Sequence, residues 1–159
     1  MTEKIPVKVI AFDNKIHRQP VMQLWRQMFD YKDARNDPGF VIDQKMAAAD
    51  GLFWVAVNNG AVVGSIMAGY DGHRGWIYAM AVTVMAQHQG IGSALLKHAE
   101  AQLANLGCVK INLQIMGGNK TVQAFYRTNG YIVEDRISMG KQINTNLPGF
   151  NQRYGEARS

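Results

Sequence analysis

The 159-residue sequence predicts a mixed α/β fold, a mostly antiparallel sheet with flanking helices. Three observations carry this. Short apolar runs rich in β-formers alternate with amphipathic stretches of helical period. Asn59-Gly60 joins two of those runs with the dipeptide that favours a type I′ hairpin turn. A third run, Trp76-Ile77-Tyr78-Ala79-Met80-Ala81-Val82, leads through a glycine-rich turn into an i, i+3, i+4 apolar stripe.

Taken in order, Val7 to Phe12 reads as a first strand and Asp13-Asn14 as a turn into a helix. Pro20 suits only that helix's first turn, and Val21, Leu24, Trp25 and Met28 extend its face to about Phe29. The segment from Asp30 to Gly39 is polar and turn-rich. Asp37-Pro38 then marks the start of a second helix ending near Ala49. Leu52 to Asn58 and Ala61 to Tyr70 form the hairpin, with Gly64 and Gly69 marking bulges or close approaches. Trp76 to Val82 is a strand buried on both faces. The stripe Ile91, Ala94, Leu95, Ala99, Leu103 and Leu106 is a helix that Gly107 ends. Val109 to Ile115 alternates as a strand, Asn119 opens a helix to about Thr128, and Tyr131 opens a last strand. Residues 1–140 thus read as one domain, with 141–159 as a tail that Phe150 and Tyr154 would anchor on a neighbour.

A net charge of +5 is spread without basic runs, which favours attraction for a polyanionic small molecule over nucleic acid. No apolar run approaches the roughly 20 residues that cross a bilayer, so no membrane role is expected. The single Cys108 cannot form an internal disulfide, and Met1-Thr2-Glu3-Lys4-Ile5-Pro6 lacks a signal peptide's apolar centre, so a cytoplasmic location is expected. The histidines and Cys108 lack metal-ligand spacing, so no metal is expected. Trp25, Trp54 and the tail leave room for a symmetric homodimer.

Gln87-His88-Gln89-Gly90-Ile91-Gly92 is the strand-to-helix turn. Such a turn leaves backbone N–H groups without intrahelical partners at the positive end of the helix dipole, and its glycines admit a phosphate closely. Gly92 is followed by Ser93-Ala94 rather than Lys-Ser/Thr, which excludes a Walker A loop; Leu95 stands where a Rossmann fingerprint needs a small residue.

The pattern Gln/Arg-x-x-Gly-x-Gly/Ala after a buried strand resembles the pyrophosphate loop of the GNAT superfamily of N-acetyltransferases. The stretch from Asn119 through Phe125-Tyr126 to Gly130-Tyr131 resembles the family's second signature, in matching order and spacing. The resemblance runs from about Val7 to Gly140, and Tyr70-Asp71-Gly72-His73-Arg74-Gly75 is similar to one bacterial subgroup of uncharacterised acetyltransferases. It implies a GNAT-like acyl-CoA N-acyltransferase fold, acetyl-CoA as co-substrate, and a small-molecule or peptide amine as acceptor. It further implies that Met80, Ala81 and Val82 offer main-chain bonds to pantetheine, and that Gln87, His88, Gln89, Gly90, Ile91 and Gly92 hold the pyrophosphate. Asn119 matches a cofactor contact, though it is equally an N-cap. Tyr126 matches the tyrosine that protonates the departing thiolate; the alternative is a buried aromatic beside Phe125.

Departures from the family pattern bear on the chemistry. Gln87-His88 stands where relatives often carry Arg-Gly, and Val84 where they carry proline, which removes a charge and a flexible residue. Gln114 occupies the position of a glutamate base in relatives that acetylate protein N-termini. Asp71, His73, Tyr78 or an ordered water are substitute bases, although Asp71-Gly72 is also simply a tight turn. Asp30, Asp33, Asp37 and Asp43 would gather near the acceptor entrance, with Lys32, Arg35 and Lys45 among them as on a neutralised, solvated face. The first reading is an N-acetyltransferase working by direct attack in a ternary complex; the rival is a non-catalytic acyl-CoA-binding module.

Overall fold

A computed structural model describes residues 3–29, 34–144 and 146. Asn59 and Gly60 both adopt positive φ, 47° and 81°, as a type I′ turn requires, and they join β2 (Phe53–Asn58) to β3 (Ala61–Tyr70). β1 (Lys8–Ala11) pairs antiparallel with β2, and β4 (Gly75–Val82) with β3. β5 (Ile111–Leu113) pairs parallel with β4, so the sheet order β1-β2-β3-β4-β5 follows the chain.

Strand alternation divides the core between the two faces of the sheet. Phe53, Val55 and Met67 pack with Val21, Leu24 and Trp25 of α1 (Asn14–Met28) and Ile42 of α2 (Pro38–Ala48). Trp54, Ala56, Ile66 and Ala68 pack instead with Leu95, Leu96, Ala99 and Leu103 of α3 (Ile91–Asn105). Val55, Ile66 and Met67 are fully enclosed, each worth roughly 1.5–3 kcal/mol of burial. Gly64 is the close approach its sequence position suggests: a Cβ there would lie 2.9 Å from Leu95 Cδ1 and 3.1 Å from the Ala81 carbonyl.

Five expectations need correction. Pro20 lies in the interior of α1, because Asp13 caps the helix earlier by accepting the N–H groups of Lys15 and Ile16. An interior proline costs about 3 kcal/mol, and burial of the Val21–Leu24–Trp25 face outweighs it. β4 is not buried on both faces. Ile77 and Ala81 are enclosed, but Tyr78 is 42% exposed, since β4 bulges at Ala79 and has no β5 partner beyond Ile77. β5 is shorter than Val109 to Ile115 for the same reason.

Tyr131 opens no strand among the described residues. The segment from Tyr131 to Ser138 instead runs beside β5 in the same direction, meeting it through side chains: Lys110 and Asn112 bond Glu134, and Gln114 bonds Ser138. Between them lies a cleft of about 1190 Å³. Of the tail, only residues 141–144 and 146 are described; Phe150 and Tyr154 lie outside the described residues, as do Asp30, Lys32 and Asp33. Trp25 and Trp54 are 1% and 5% exposed, which removes both from any dimer surface.

Candidate active site

The site is built where the β4–β5 ladder stops. Gly75, Trp76 and Ile77 pair with Ile111, Asn112 and Leu113, and β4 then runs on to Val82 without a β5 partner. The chain passes through a 3₁₀ turn, Val84–Ala86, and the Gln87–Gly90 turn into α3. Gly75 fixes the closed end of this seam, because a Cβ there would meet Cys108 Sγ at 2.8 Å and Leu103 Cδ1 at 2.9 Å.

The turn presents backbone donors. Gly90 takes φ 82° as the N-cap residue of α3 and supplies no capping side chain, and the first intrahelical bond runs from Ala94 N–H to Gly90 C=O. The N–H groups of Ile91, Gly92 and Ser93 precede that bond at the positive end of a 15-residue helix. A Cβ on Gly92 would lie 3.2 Å from the Phe125 ring and 3.7 Å from Met80 Sδ, so Met80 and Phe125 flank the helix start. Free main chain on β4 followed by an uncapped, glycine-lined helix N-terminus suits an extended thioester arm ending in a pyrophosphate. The residues present therefore fit an acyl-CoA.

Gln87 and Gln89 direct their side chains to the protein's own backbone. Gln87 Nε2 donates to the Val82 carbonyl at 3.1 Å, and Gln89 Oε1 accepts the Ile5 N–H at 2.9 Å. His88 holds φ 62°, the left-handed region that a glycine would occupy without strain. The anion-binding capacity here lies in the backbone.

Tyr126 sits on α4 (Lys120–Thr128), 7% exposed, with its ring edge-to-face against Phe125 at 5.0 Å and Tyr131 at 5.5 Å. Burial pushes its phenol up to about 12. The hydroxyl therefore keeps its proton throughout the physiological range. Tyr131 is raised as well, first by burial and then by donating to the Glu100 carboxylate at 2.9 Å. Asn119 is the N-cap of α4, its Oδ1 accepting the Val122 N–H at 3.2 Å. Gln114 lies just past β5 with Nε2 donating to Ser138 Oγ. Asp71 accepts from the Arg74 and His73 N–H groups and the Trp76 indole, which lowers its carboxyl to about 2. A carboxylate held this far down is a poor proton acceptor.

Two clusters escaped the sequence reading. Lys45, expected on a solvated face, is 8% exposed, and its ammonium bonds Asp50 at 2.7 Å, the Ala68 carbonyl and Tyr78 Oη at 3.2 Å. Its spacing from Pro38 and Ile42 puts it on the buried stripe of α2, a signal the sequence did contain. Ser65, fully enclosed on β3, accepts the Trp25 indole N–H at 2.8 Å and donates to the Ala79 carbonyl at 2.9 Å. One hydroxyl inside an apolar strand was its only mark. Among the described residues, no group of three or more His, Cys, Asp or Glu is gathered to hold a metal ion, and no helix is long and apolar enough to cross a membrane.

Among the described residues the sheet is five-stranded and mixed, and it opens between β4 and β5 above a helix N-terminus. Residues 18–131 match the profile described as Acetyltransferase (GNAT) family, well over half the chain, and the chain belongs to that family. Ard1 from Thermoplasma volcanium superposes with a TM-score of 0.71 at 20% identity, covering 80% of this chain and 84% of that one. The PaiA N-acetyltransferase of Thermoplasma acidophilum, in complex with coenzyme A, gives 0.65 at 16% identity over 83% and 93%. An aminoglycoside N-acetyltransferase in complex with CoA gives 0.71 at 16% identity over 89% and 98%. At these identities the likeness establishes the shared fold.

Proposed function

We propose that the protein transfers an acetyl group from acetyl-CoA to a primary amine by direct attack in a ternary complex. The observation that carries this is the continuity of residues 78–93: the β4 edge without a β5 partner leads through the turn into the uncapped start of α3. When bound, acetyl-CoA supplies an activated acyl group on a good thiolate leaving group. Met80, Ala81 and Val82 would align its arm, and the Gln87–Gly92 turn would hold its pyrophosphate through backbone N–H groups. Asn119 would border the cofactor, and Tyr126 would donate to the departing sulfur. With a phenol near 12 against a thiol near 8.5, complete proton transfer is uphill, so Tyr126 acts as a hydrogen-bond donor to developing charge. Cys108 is packed against Gly75, which argues against a covalent acyl-enzyme.

The acceptor must shed a proton, and Gln114 cannot take one. A lysine amine near pKa 10.4 is neutral to about one part in a thousand at pH 7.4, a cost of roughly 4 kcal/mol, whereas an α-amine near 8 costs under about 1. Weakly basic amines are therefore the expected substrates. The test is thiol release across amino acids, peptide N-termini, lysine peptides, polyamines and aminoglycosides. Steady release with an α-amine and a rate rising along that amine's own titration supports the assignment. CoA binding without release from any amine would favour the acyl-CoA-binding module, and a lysine-peptide preference governed by an enzyme group near 6.5 would overturn the base-free account.

A further inference from the structure

We infer that Ser65, backed by Trp25, is a positioning residue for the cofactor strand: a buried relay from α1 through β3 holds the kink in β4 that opens the seam. This rests on the acetyl-CoA reading above. Ser65 faces Ala81 and Met67 faces Tyr78 across the β3–β4 ladder, so Ala79 and Met80 together oppose Ile66. This is a bulge, and Ala79 adopts φ 51° in it, a left-handed conformation that an alanine resists. The Ala79 carbonyl is met by the Ser65 hydroxyl at 2.9 Å. That hydroxyl is aimed in turn, because it accepts the Trp25 indole N–H at 2.8 Å and so has its proton left for Ala79. Ser65 and Trp25 are 0% and 1% exposed, so no water competes for either bond. The kink at Ala79 lies two residues past Ile77, the last β4 residue paired with β5, and it delivers Met80 Sδ to 3.7 Å from a Cβ position on Gly92. The strand edge and the helix start thus share one frame, set from the opposite face of the sheet.

A merely structural serine and a positioning serine respond differently to glycine at position 79. Glycine takes positive φ freely and needs no tether. We expect Ser65→Ala to weaken coenzyme A binding about tenfold by titration calorimetry, the scale of one lost buried hydrogen bond. Ala79→Gly added to it should return the Kd to within about threefold of wild type, with the two single variants completing a double-mutant cycle. A ligand-free readout runs in parallel: exchange of the Ala81 amide, opposite Ser65, should speed up in Ser65→Ala and slow again in the double variant. If Ser65→Ala does not fold, Trp25→Phe removes the upstream donor and takes its place in the same cycle. An unchanged Kd and exchange rate in the single variant, or no recovery on adding Ala79→Gly, overturns the relay. Failure of the wild type to bind coenzyme A overturns the function reading instead, and amide exchange still decides whether Ser65 holds the kink.

Discussion

His88 takes φ 62° in a turn where relatives often place glycine, a conformation that costs a side-chain-bearing residue roughly 1–2 kcal/mol. His88→Gly relieves that strain but frees the unfolded chain by about 0.5–1 kcal/mol. Denaturant melts should show a net gain of up to about 1 kcal/mol, and a clear loss would mean that the imidazole makes contacts worth more than the strain. Tyr126 supports two measurements. Tyr126→Phe should lower kcat by about 10–100-fold, the range of one general-acid or oxyanion-type donor, with coenzyme A affinity nearly unchanged. The same residue, alongside Tyr131, contributes to alkaline stability. Its folded pKa of about 12 exceeds the unfolded value near 10, so above pH 10 the unfolded chain binds fewer protons than the folded one and stability falls as pH rises. Between pH 9 and 12 this amounts to about 2–3 kcal/mol at most, and Tyr126→Phe should remove that share of the loss. An identical alkaline slope in both proteins would place the titration elsewhere.

At the scale of elements, what the sequence made legible was what local chemistry decides. Asn59-Gly60 specified the hairpin, Asp37-Pro38 the start of α2, and the Ile91-to-Leu106 stripe with Gly107 specified α3 almost to the residue. The Gln87–Gly92 stretch was legible as a strand-to-helix turn because its glycines serve the backbone. The errors arose where tertiary packing overrode a local rule. Pro20 was assigned to a first turn because proline disfavours helix interiors, yet burial of Val21, Leu24 and Trp25 carries the helix through it. Of Phe125 and Tyr126, Tyr126 is the buried aromatic, with Phe125 left to pad Gly92. The bulge at Ala79 left no sequence trace, since nothing in Tyr78-Ala79-Met80 marks a positive φ. Because Pro20 is solvent-exposed and denies the Ile16 carbonyl its helical donor, Pro20→Ala should stabilise α1. The expected gain is about 1–3 kcal/mol by chemical denaturation. No gain would show that the bond missing at the Ile16 carbonyl costs α1 nothing measurable.

For the molecule as a whole, strand order that follows chain order has a kinetic meaning. β2, β3 and β4 form a meander of neighbouring segments, joined by the Asn59-Gly60 turn and by residues 71–74. Such pairings close short loops and are favoured early in folding. β5 reaches β4 only after the chain has travelled through the turn and all of α3, so the seam is among the long-range contacts formed late. Contacts absent from the transition state act on the escape rate from the native state rather than on the rate of arrival. Coenzyme A bound across that seam should therefore slow unfolding and leave refolding nearly untouched. At a concentration of 100 Kd it contributes about 2.7 kcal/mol, which stopped-flow unfolding would register as a roughly hundredfold slower phase. Equal effects on both limbs of the chevron would mean that the seam assembles early. With the late-forming seam, the cofactor is also the molecule's fastener: the loaded chain gains lifetime as well as reactivity.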